Sequence, residues 1–181
     1  MLDCVERVLV SEEELAKKVE ELAAQITEDY KDKKLLIISV LKGGFIFAAD
    51  LMRKITCEAA IEFIAVSSYG ASSKSSGVVK INLDLDRDIE GLDILIVEDI
   101  LDSGLTLNYI KGMLMSRGAR SLKICTILNK PSRRKVDIVA DYVGFDIPDE
   151  FVIGYGLDYD EKFRNIPFVG VLKREIYEKD V

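Results

Sequence analysis

Three short, continuously apolar segments constrain the fold of this 181-residue chain more than any other feature of its sequence. They run from Leu35 to Val40, from Ile94 to Val97 and from Leu122 to Leu128. Apolar residues on both faces are typical of strands in a parallel sheet that helices cover on each side. Because segments of helical character separate the three runs, the sequence predicts an α/β fold built around a mostly parallel sheet.

Helical segments precede and separate these runs. Ser11 followed by Glu14 forms a capping box, and apolar residues then recur at helical spacing, which predicts an amphipathic helix from about residue 11 to 30. Two more segments have helical length and composition: Phe45 to Ile55, and Gly104 to Arg117 with Gly118 as its stop.

Two further strands are predicted by composition and alternation. Ala60 to Val66 is apolar and short, and apolar residues alternate with polar ones from Val79 to Asp86, as in a strand with one solvated face. No composition shift or linker divides the chain. We therefore expect residues 1–181 to form a single domain.

The residue types in the chain exclude several classes of enzyme. It contains no histidine, so Ser-His-Asp hydrolysis, Cys-His proteolysis and His-ligated zinc are excluded. Acid–base chemistry must come from carboxylates, Lys, Tyr or Cys. The three cysteines lie far apart and form no C-x-x-C pair, which predicts neither a disulfide framework nor a zinc site: Cys4, Cys57 and Cys125. This cysteine usage favours a reducing, cytoplasmic location.

Charge and hydropathy argue against two kinds of partner. Lys and Arg number 25 against 32 Asp and Glu, a net charge of −7, which disfavours bulk binding to nucleic acid. The longest apolar run stops at Lys42, well short of the roughly 20 residues that a membrane helix needs. The N-terminus has acids from Asp3 onward and no basic region, unlike a signal peptide. We expect neither a nucleic-acid nor a membrane partner.

The segment after the second apolar run has the composition of an anion site, and ligands bind at the carboxyl ends of strands in such sheets. Glu98 and Asp99 follow Val97, and Asp102 precedes a Ser-Gly-x-Thr turn that opens a helix. Free N–H groups at a helix N-terminus favour a phosphate, and the acids suit sugar hydroxyls or Mg²⁺. Alternatively, Asp102 or Ser103 caps the helix and the acid pair lies in a solvated turn.

This segment, VEDILDSGLT, closely resembles the phosphoribosyl-pyrophosphate signature of the purine phosphoribosyltransferases. Four other segments match that family in order, and more narrowly its hypoxanthine branch: SVLKGGFIFAADL from Ser39, Ser68-Tyr69-Gly70, Leu128-Asn129-Lys130, and the tail DYVGFDIPDEFVIGYGLDYDEKFRNIPFVGVL from Asp141. The resemblance covers roughly residues 10 to 175. It implies a type I phosphoribosyltransferase fold, with a mostly parallel central sheet, flanking helices, a mobile lid loop and a small hood formed by the N- and C-terminal segments.

The resemblance implies purine salvage, in which ribose 5-phosphate moves from phosphoribosyl pyrophosphate to N9 of hypoxanthine or guanine, with Mg²⁺ present and pyrophosphate released. Asp102 then lies near purine N7 as proton acceptor or donor. Glu98 and Asp99 bind the ribose hydroxyls and the water shell of the metal. The 5′-phosphate is held by the turn that runs from Asp102 through its next four residues: Ser103, Gly104, Leu105 and Thr106.

The same resemblance assigns the pyrophosphate side of the site. Lys42 and Gly43 follow a buried strand and suit a backbone approach to pyrophosphate, and the family places a cis peptide between Leu41 and Lys42. Asp158 is by resemblance a second magnesium ligand, and Arg164 contacts the leaving group. From the residues alone, the glycine pair is a plain turn and the segment from Asp158 is an acidic turn.

Four residues carry the base half of the implied site: Lys130, Phe151, Val152 and Asp158. Lys130 follows an apolar strand and would donate to the purine O6, which excludes a 6-amino base such as adenine. Phe151 would stack on the purine and Val152 would supply backbone contacts, with the carbonyls near Val152 and Asp158 setting the preference among 6-oxopurines. Without the family, Lys130 is an ordinary strand-end lysine and Phe151 a core residue.

The small-residue stretch from Ser67 to Gly77 is the implied lid, with Ser68 and Tyr69 reaching the pyrophosphate side. An idle surface loop is the alternative.

Two other functions stay open: a nucleotide- and RNA-binding regulator of the same fold, and a transferase directed at xanthine or adenine. The regulator needs a basic surface, whereas the basic cluster here is predicted to be a solvated turn: Lys130, Arg133, Arg134 and Lys135. Family members are usually homodimers or homotetramers.

Overall fold

The computed structural model describes residues 2–68 and 79–178, in which thirteen helices and strands follow one another. The strands are β1 Val5–Val10, β2 Leu35–Leu41, β3 Ala59–Ser68, β4 Val79–Leu83, β5 Asp93–Leu101, β6 Ser121–Asn129, β7 Tyr142–Asp146, β8 Val152–Ile153 and β9 Val169–Leu172. The α-helices are α1 Glu12–Tyr30, α2 Phe45–Lys54, α3 Leu105–Ser116 and α4 Arg174–Tyr177. Short 3₁₀ turns span Leu2–Cys4 and Pro131–Arg133.

The first long helix begins where its capping box predicts. Ser11 Oγ accepts from Glu14 N at 3.2 Å, and Ser11 N donates to Glu14 Oε2 at 2.8 Å, so two helix-end amides are satisfied reciprocally. The buried face of α1 carries the apolar residues that recur at helical spacing: Leu15, Val19, Leu22, Ala23 and Ile26. This face packs on α2 and on the sheet.

The larger sheet has the order β4-β3-β2-β5-β6-β7, and every neighbouring pair is parallel except the β3–β4 pair at the edge. Successive residues of its central strands enter two different cores. Ile37 and Leu95 pack with α1 and α2, whereas Leu36 and Ile94 pack with α3 on the opposite face. Both faces are therefore covered, which is why these strands are apolar throughout, and the predicted mostly parallel α/β sheet is confirmed.

One boundary differs from the sequence prediction. The apolar run ends at Val97, but β5 continues to Leu101 because its pairing with β6 continues through Glu98 opposite Thr126 and Leu101 opposite Asn129. The two acids therefore lie within the strand, and a solvated turn is wrong for them. Hydrogen bonding to a neighbouring strand, which composition does not show, sets where the strand ends.

A second, smaller sheet joins the two ends of the described chain. It has the order β1-β9-β8, with both pairs antiparallel. Lys173 N also donates to Cys4 O at 3.0 Å, and Arg7 of β1 pairs with Glu150, the residue two positions before β8. The segment leading into β8 is thus held by the first strand of the chain.

Two further observations bear on the sequence expectations. Cys57 and Cys125 are free thiols, and Cys125 is fully buried in β6. Within residues 2–68 and 79–178, no helix is long and apolar enough to cross a membrane.

Candidate active site

The residues singled out in the sequence gather at one edge of the larger sheet. Strands β2, β5 and β6 run parallel and end at this edge, so the segments that follow Leu41, Leu101 and Asn129 are neighbours. In open sheets of this type the carboxyl ends of the strands form the ligand crevice. The site is assembled from three loops that are far apart in the sequence. The two closest begin after Leu101 and Asn129, which are 28 positions apart.

In the loop after β2, the backbone at Gly43 lies against the carboxylate of Asp99. The Leu41–Lys42 peptide is cis, as the resemblance predicts. A Cβ placed on Gly43 would lie 1.7 Å from Asp99 Oδ2, so a side chain there would have to displace the Asp99 carboxylate. Lys42 extends from this loop, and its Nζ donates to Glu161 Oε2 at 2.7 Å. The glycine is required by a close approach and is more than a plain turn residue.

The turn after β5 has the form of a phosphate cradle. Gly104 adopts φ +82°, and a Cβ there would lie 2.5 Å from Ile138 Cγ2. The turn leads straight into α3, whose first amides have no partner within the helix. Lys135 N donates to Ser103 O at 2.9 Å, and Ser103 Oγ accepts weakly from Leu105 N at 3.5 Å. Thr106 is exposed on the first helical turn.

The two acids of β5 are electrostatically unfavourable neighbours. Burial is the main factor that raises the pKa of Glu98 well above its usual value, and the charge of Asp99 raises it further. Burial also raises the pKa of Asp99, against the lowering effect of its hydrogen bonds and of the Arg164 charge. Asp99 Oδ1 accepts from Ile100 N at 2.7 Å. A divalent cation beside the pair would stabilise both charged forms.

The donor set fits a magnesium ion that arrives with a phosphate-bearing ligand. Mg²⁺ is usually held by one or two carboxylates together with substrate phosphates and water. Across the described parts of the chain, no cluster of three or more potential protein ligands exists. Asp158 lies on another loop, where its Oδ1 contacts Arg164 Nη2 at 2.9 Å and its Oδ2 accepts from Glu161 N at 2.9 Å.

Asp102 lies between the phosphate cradle and a large cavity, where an arginine contacts it. Arg133 Nε is 2.8 Å from Asp102 Oδ1, and the charge of Asp102 is the main factor that raises the pKa of Arg133. The residue that caps α3 is Gly104, without a side-chain hydrogen bond to the helix. The capping alternative for Asp102 is therefore wrong, and its carboxylate is directed to Arg133.

Arg134 holds the backbone on which Asp102 stands. Its Nη1 donates to Leu101 O at 3.1 Å and also to Asp102 O, while its Nη2 donates to Asn129 Oδ1 at 2.5 Å. The prediction of a solvated turn holds for Arg133, which is exposed although it contacts Asp102, and is wrong for Arg134, which is half-buried against the end of β5. Their position directly after the strand of Lys130 was the only signal in the sequence, and it does not specify these contacts.

The base half of the predicted site lines a cavity of about 980 Å³. The predicted residues that line it are Asp102, Lys130, Phe151, Val152 and Asp158, together with Ile100. Among the described residues, the cavity lining does not include the pyrophosphate-side pair Lys42 and Gly43 or the cradle residues beyond Asp102. Gly43 approaches Asp99, the residue before the lining residue Ile100, and the cradle begins at the lining residue Asp102.

Lys130 and Phe151 have the exposure and contacts that a base pocket needs. Lys130 is 7% exposed, and its Nζ donates to Glu150 O at 2.6 Å. Burial lowers the pKa of this lysine. Phe151 is 38% exposed, stacks on Tyr177 with ring centroids 5.1 Å apart, and meets Tyr159 edge-on. Phe151 is thus an exposed aromatic ring held by two others, not a core residue.

The lid prediction falls mostly outside the described residues. Ser68 ends β3 and pairs with Val79, so its backbone lies in the strand next to β2. Tyr69 and residues 70–77 are outside the described parts of the chain, and the lid stays a prediction.

The cations of the pyrophosphate side share a partner that the sequence reasoning did not identify. Glu161 contacts Lys42, and its Oε1 is 3.5 Å from Arg164 Nη2. Arg164 also donates through Nη1 to Gly156 O at 2.8 Å. The acidic turn from Asp158 therefore contacts both predicted pyrophosphate ligands.

Comparison with known proteins agrees with this arrangement. Residues 9–160 match the model of the phosphoribosyl transferase domain. A hypoxanthine-guanine phosphoribosyltransferase of Bacillus subtilis (strain 168) is 56% identical over 174 residues, which cover 96% of this chain and 97% of that protein. A relative of the same name from Streptococcus thermophilus is 50% identical over 175 residues, which cover 97% of each.

Solved structures give the same result. A crystal structure of a hypoxanthine phosphoribosyltransferase from Staphylococcus aureus superposes with a TM-score of 0.94 at 48% identity, over 97% of this chain and 95% of that one. The chain belongs to the phosphoribosyltransferase family. Its fold is the type I phosphoribosyltransferase fold that the sequence motifs imply.

Proposed function

We propose that this chain is a purine-salvage enzyme that transfers the 5-phosphoribosyl group of phosphoribosyl pyrophosphate to hypoxanthine or guanine, giving IMP or GMP and pyrophosphate. One observation carries the proposal: Asp102, Lys130 and Phe151 line a single cavity beside the phosphate cradle. A base in this cavity meets a proton acceptor, a buried cationic donor and an aromatic face. Relatives named for this reaction, 50–56% identical over nearly the whole chain, support the same assignment.

Base selection follows from the donor that Lys130 offers. An ammonium group carries three N–H donors, and Glu150 O uses one of them, so two are free for a carbonyl oxygen such as O6. A 6-amino group offers donors where Lys130 needs an acceptor, so adenine leaves the two remaining N–H donors of a buried ammonium group without an acceptor. Phe151 supplies the stacking face, and its contact with Tyr177 fixes the ring plane.

The transfer step requires a base that accepts one proton. As N9 of the purine forms its bond to C1′ of the ribose, the bond from C1′ to the pyrophosphate oxygen breaks and its electron pair leaves with pyrophosphate. The proton on N7 then passes to the carboxylate of Asp102. Arg133 Nε lies 2.8 Å from Asp102 Oδ1 and orients the carboxylate that accepts this proton.

The phosphates are held on the other side of Asp102. The cradle from Asp102 to Thr106 offers helix N-terminal amides to the 5′-phosphate, and Lys42 and Arg164 offer charge to the pyrophosphate group. Mg²⁺, held by the substrate phosphates with Asp158 as a protein ligand and with Glu98 and Asp99 facing its water shell, would neutralise the charge of the leaving group. Glu98 and Asp99 also lie where ribose hydroxyls can donate to them.

Assembly and location are further parts of the proposal. The resemblance implies a homodimer or homotetramer, which light scattering after size-exclusion chromatography tests. The free thiols of Cys57 and Cys125 agree with a reducing, cytoplasmic location, which fractionation of the source cells tests.

Parallel turnover assays test the proposed function directly. Hypoxanthine, guanine, xanthine and adenine are each supplied with phosphoribosyl pyrophosphate and Mg²⁺, and nucleotide formation is followed. We expect turnover of hypoxanthine or guanine and none of adenine. Turnover of xanthine alone would favour a xanthine-directed transferase. If no base reacts while calorimetry still detects IMP or GMP binding, the nucleotide-binding regulator replaces the enzyme.

A further inference from the structure

Glu161 occupies an unusual position for an acid in an anion-binding site. Its carboxylate accepts from Lys42 Nζ at 2.7 Å and lies 3.5 Å from Arg164 Nη2. Lys42 belongs to the loop after β2, 119 residues away in the chain. The hydrogen bond from Lys42 is the main factor that lowers the pKa of Glu161, so this side chain is negatively charged at neutral pH.

The loop that carries Glu161 packs closely against the pyrophosphate loop. A Cβ on Gly156 would lie 2.1 Å from Gly43 O, so the two backbones are in contact. Glu161 itself has φ +60°, and Glu161 N donates to Asp158 Oδ2 at 2.9 Å. The backbone contacts and the turn therefore hold the carboxylate beside both cations, although its side chain is 65% exposed.

Arg164 does not depend on Glu161 for its orientation. Its Nη1 donates to Gly156 O at 2.8 Å, and its Nη2 is 2.9 Å from Asp158 Oδ1, a shorter contact than the one to Glu161. Removing the charge of Glu161 thus leaves Arg164 positioned while it frees Lys42. The carboxylate is a partner that the site can release without losing its shape.

We propose that Glu161 is an internal competitor that occupies Lys42 and Arg164 in place of the pyrophosphate group, and that it thereby weakens pyrophosphate binding and speeds product release. This inference rests on the proposed function, which makes Lys42 and Arg164 ligands of pyrophosphate. A bound pyrophosphate group must displace the carboxylate, and it repels the carboxylate once displaced. Exposed ion pairs are weak, so the competition is moderate and reversible.

Isothermal titration of inorganic pyrophosphate, with and without Mg²⁺, tests the competition. Glu161→Gln keeps the length and backbone of the side chain and removes its charge. We expect it to bind pyrophosphate about 2- to 10-fold more tightly than the wild type, the range that one or two exposed ion pairs provide. The dissociation rate of pyrophosphate, measured by stopped flow, should fall by a similar factor.

Asp160→Asn is the matched control. Asp160 is the neighbouring residue, is also exposed and in a left-handed conformation, and pairs with Lys162 at 2.7 Å. The substitution removes the same charge from the same turn without touching Lys42 or Arg164. We expect less than a twofold change in pyrophosphate affinity. Equal tightening in both variants would show a general charge effect and overturn the competition.

Two further outcomes separate this inference from the proposed function. Unchanged or weaker pyrophosphate binding in Glu161→Gln overturns the competition and leaves the ligand assignment intact. Lys42→Met tests that assignment: normal pyrophosphate affinity in this variant would remove Lys42 from the proposed site. In the double variant Lys42→Met with Glu161→Gln, the gain in pyrophosphate affinity caused by Glu161→Gln should be smaller than in the wild-type background. One of the two cations that Glu161 contacts, Lys42, is then absent.

Discussion

Replacing Lys130 with methionine tests the base pocket most directly. Lys130 is buried at the end of β6, and its Nζ already donates to Glu150 O at 2.6 Å. Methionine keeps an unbranched stem of similar length and removes the charge and all three donors. It also removes the cost of burying an ammonium group, the cost that lowers the pKa of Lys130.

The size of the effect follows from the bond that is lost. A hydrogen bond that involves a charged group contributes about 1.5–3 kcal/mol, which corresponds to about a 10- to 150-fold change in an equilibrium constant. Since O6 belongs to the purine alone, we expect the KM for hypoxanthine and guanine to rise by that factor. The KM for phosphoribosyl pyrophosphate should change less than about threefold.

The assay is steady-state kinetics, with each substrate varied while the other is saturating. Lys135→Met is the matched control, because Lys135 is exposed five residues later in the same segment and only its backbone N–H is bound, to Ser103 O. Thermal unfolding checks that both variants fold. Purine KM values within twofold of the wild type, or an equal rise for both substrates, would refute a direct contact between Lys130 and O6.

Three other substitutions address the rest of the site and the sheet. Asp102→Asn should lower kcat by about 10²–10⁴ with little change in affinity for phosphoribosyl pyrophosphate, because the N7 proton loses its acceptor; normal kcat with weakened affinity would make Asp102 a structural part of the cradle. Gly43→Ala places a methyl group 1.7 Å from a carboxylate oxygen and should weaken phosphoribosyl-pyrophosphate binding by about 10²-fold, whereas Gly112→Ala, with nothing within 4 Å, should bind normally. Asp93→Asn should lower the free energy of unfolding by about 1–3 kcal/mol in denaturant titrations at pH 7. The Arg120 hydrogen bond lowers the pKa of Asp93 below 3.8 in the folded state. The difference in unfolding free energy between wild type and variant should therefore be complete above pH 3.8 and disappear as pH falls through the lowered folded-state pKa. A difference that stays constant with pH would contradict this role of Asp93.

The sequence predicts the central layer of the fold well because local and tertiary signals agree there. The capping box at Ser11 and Glu14 forms with both hydrogen bonds, and Gly118 ends its helix at φ +83°. The run from Leu35 is buried on both faces, as continuous apolarity indicates. Each of these features depends on residues that are close in the chain.

The parts that sequence reasoning missed depend on contacts between distant segments. The end of β5 is set by its pairing with β6, and the contacts of Arg134 join the turn after β6 to the carbonyls of Leu101 and Asp102. Glu161 meets Lys42 across 119 residues. An arginine or glutamate in a polar segment has many possible partners, and only the fold selects one. The family motifs point to the site residues themselves and do not indicate the residues that hold them.

The pairing of the first strand with the last sets an order of assembly during synthesis. Strands β2 to β7 of the larger sheet are complete once residue 146 has been translated, so the cradle and the pyrophosphate loop have all their partner strands by then. β1 has been translated once residue 10 is in place, whereas its pairing partner β9 is translated only with residues 169–172. Because Arg7 and β9 hold the segment around Phe151, the base pocket is completed by the last-translated strand. A nascent chain therefore completes the strands that carry the phosphate cradle before it can complete the purine pocket or add Arg164 to the pyrophosphate side.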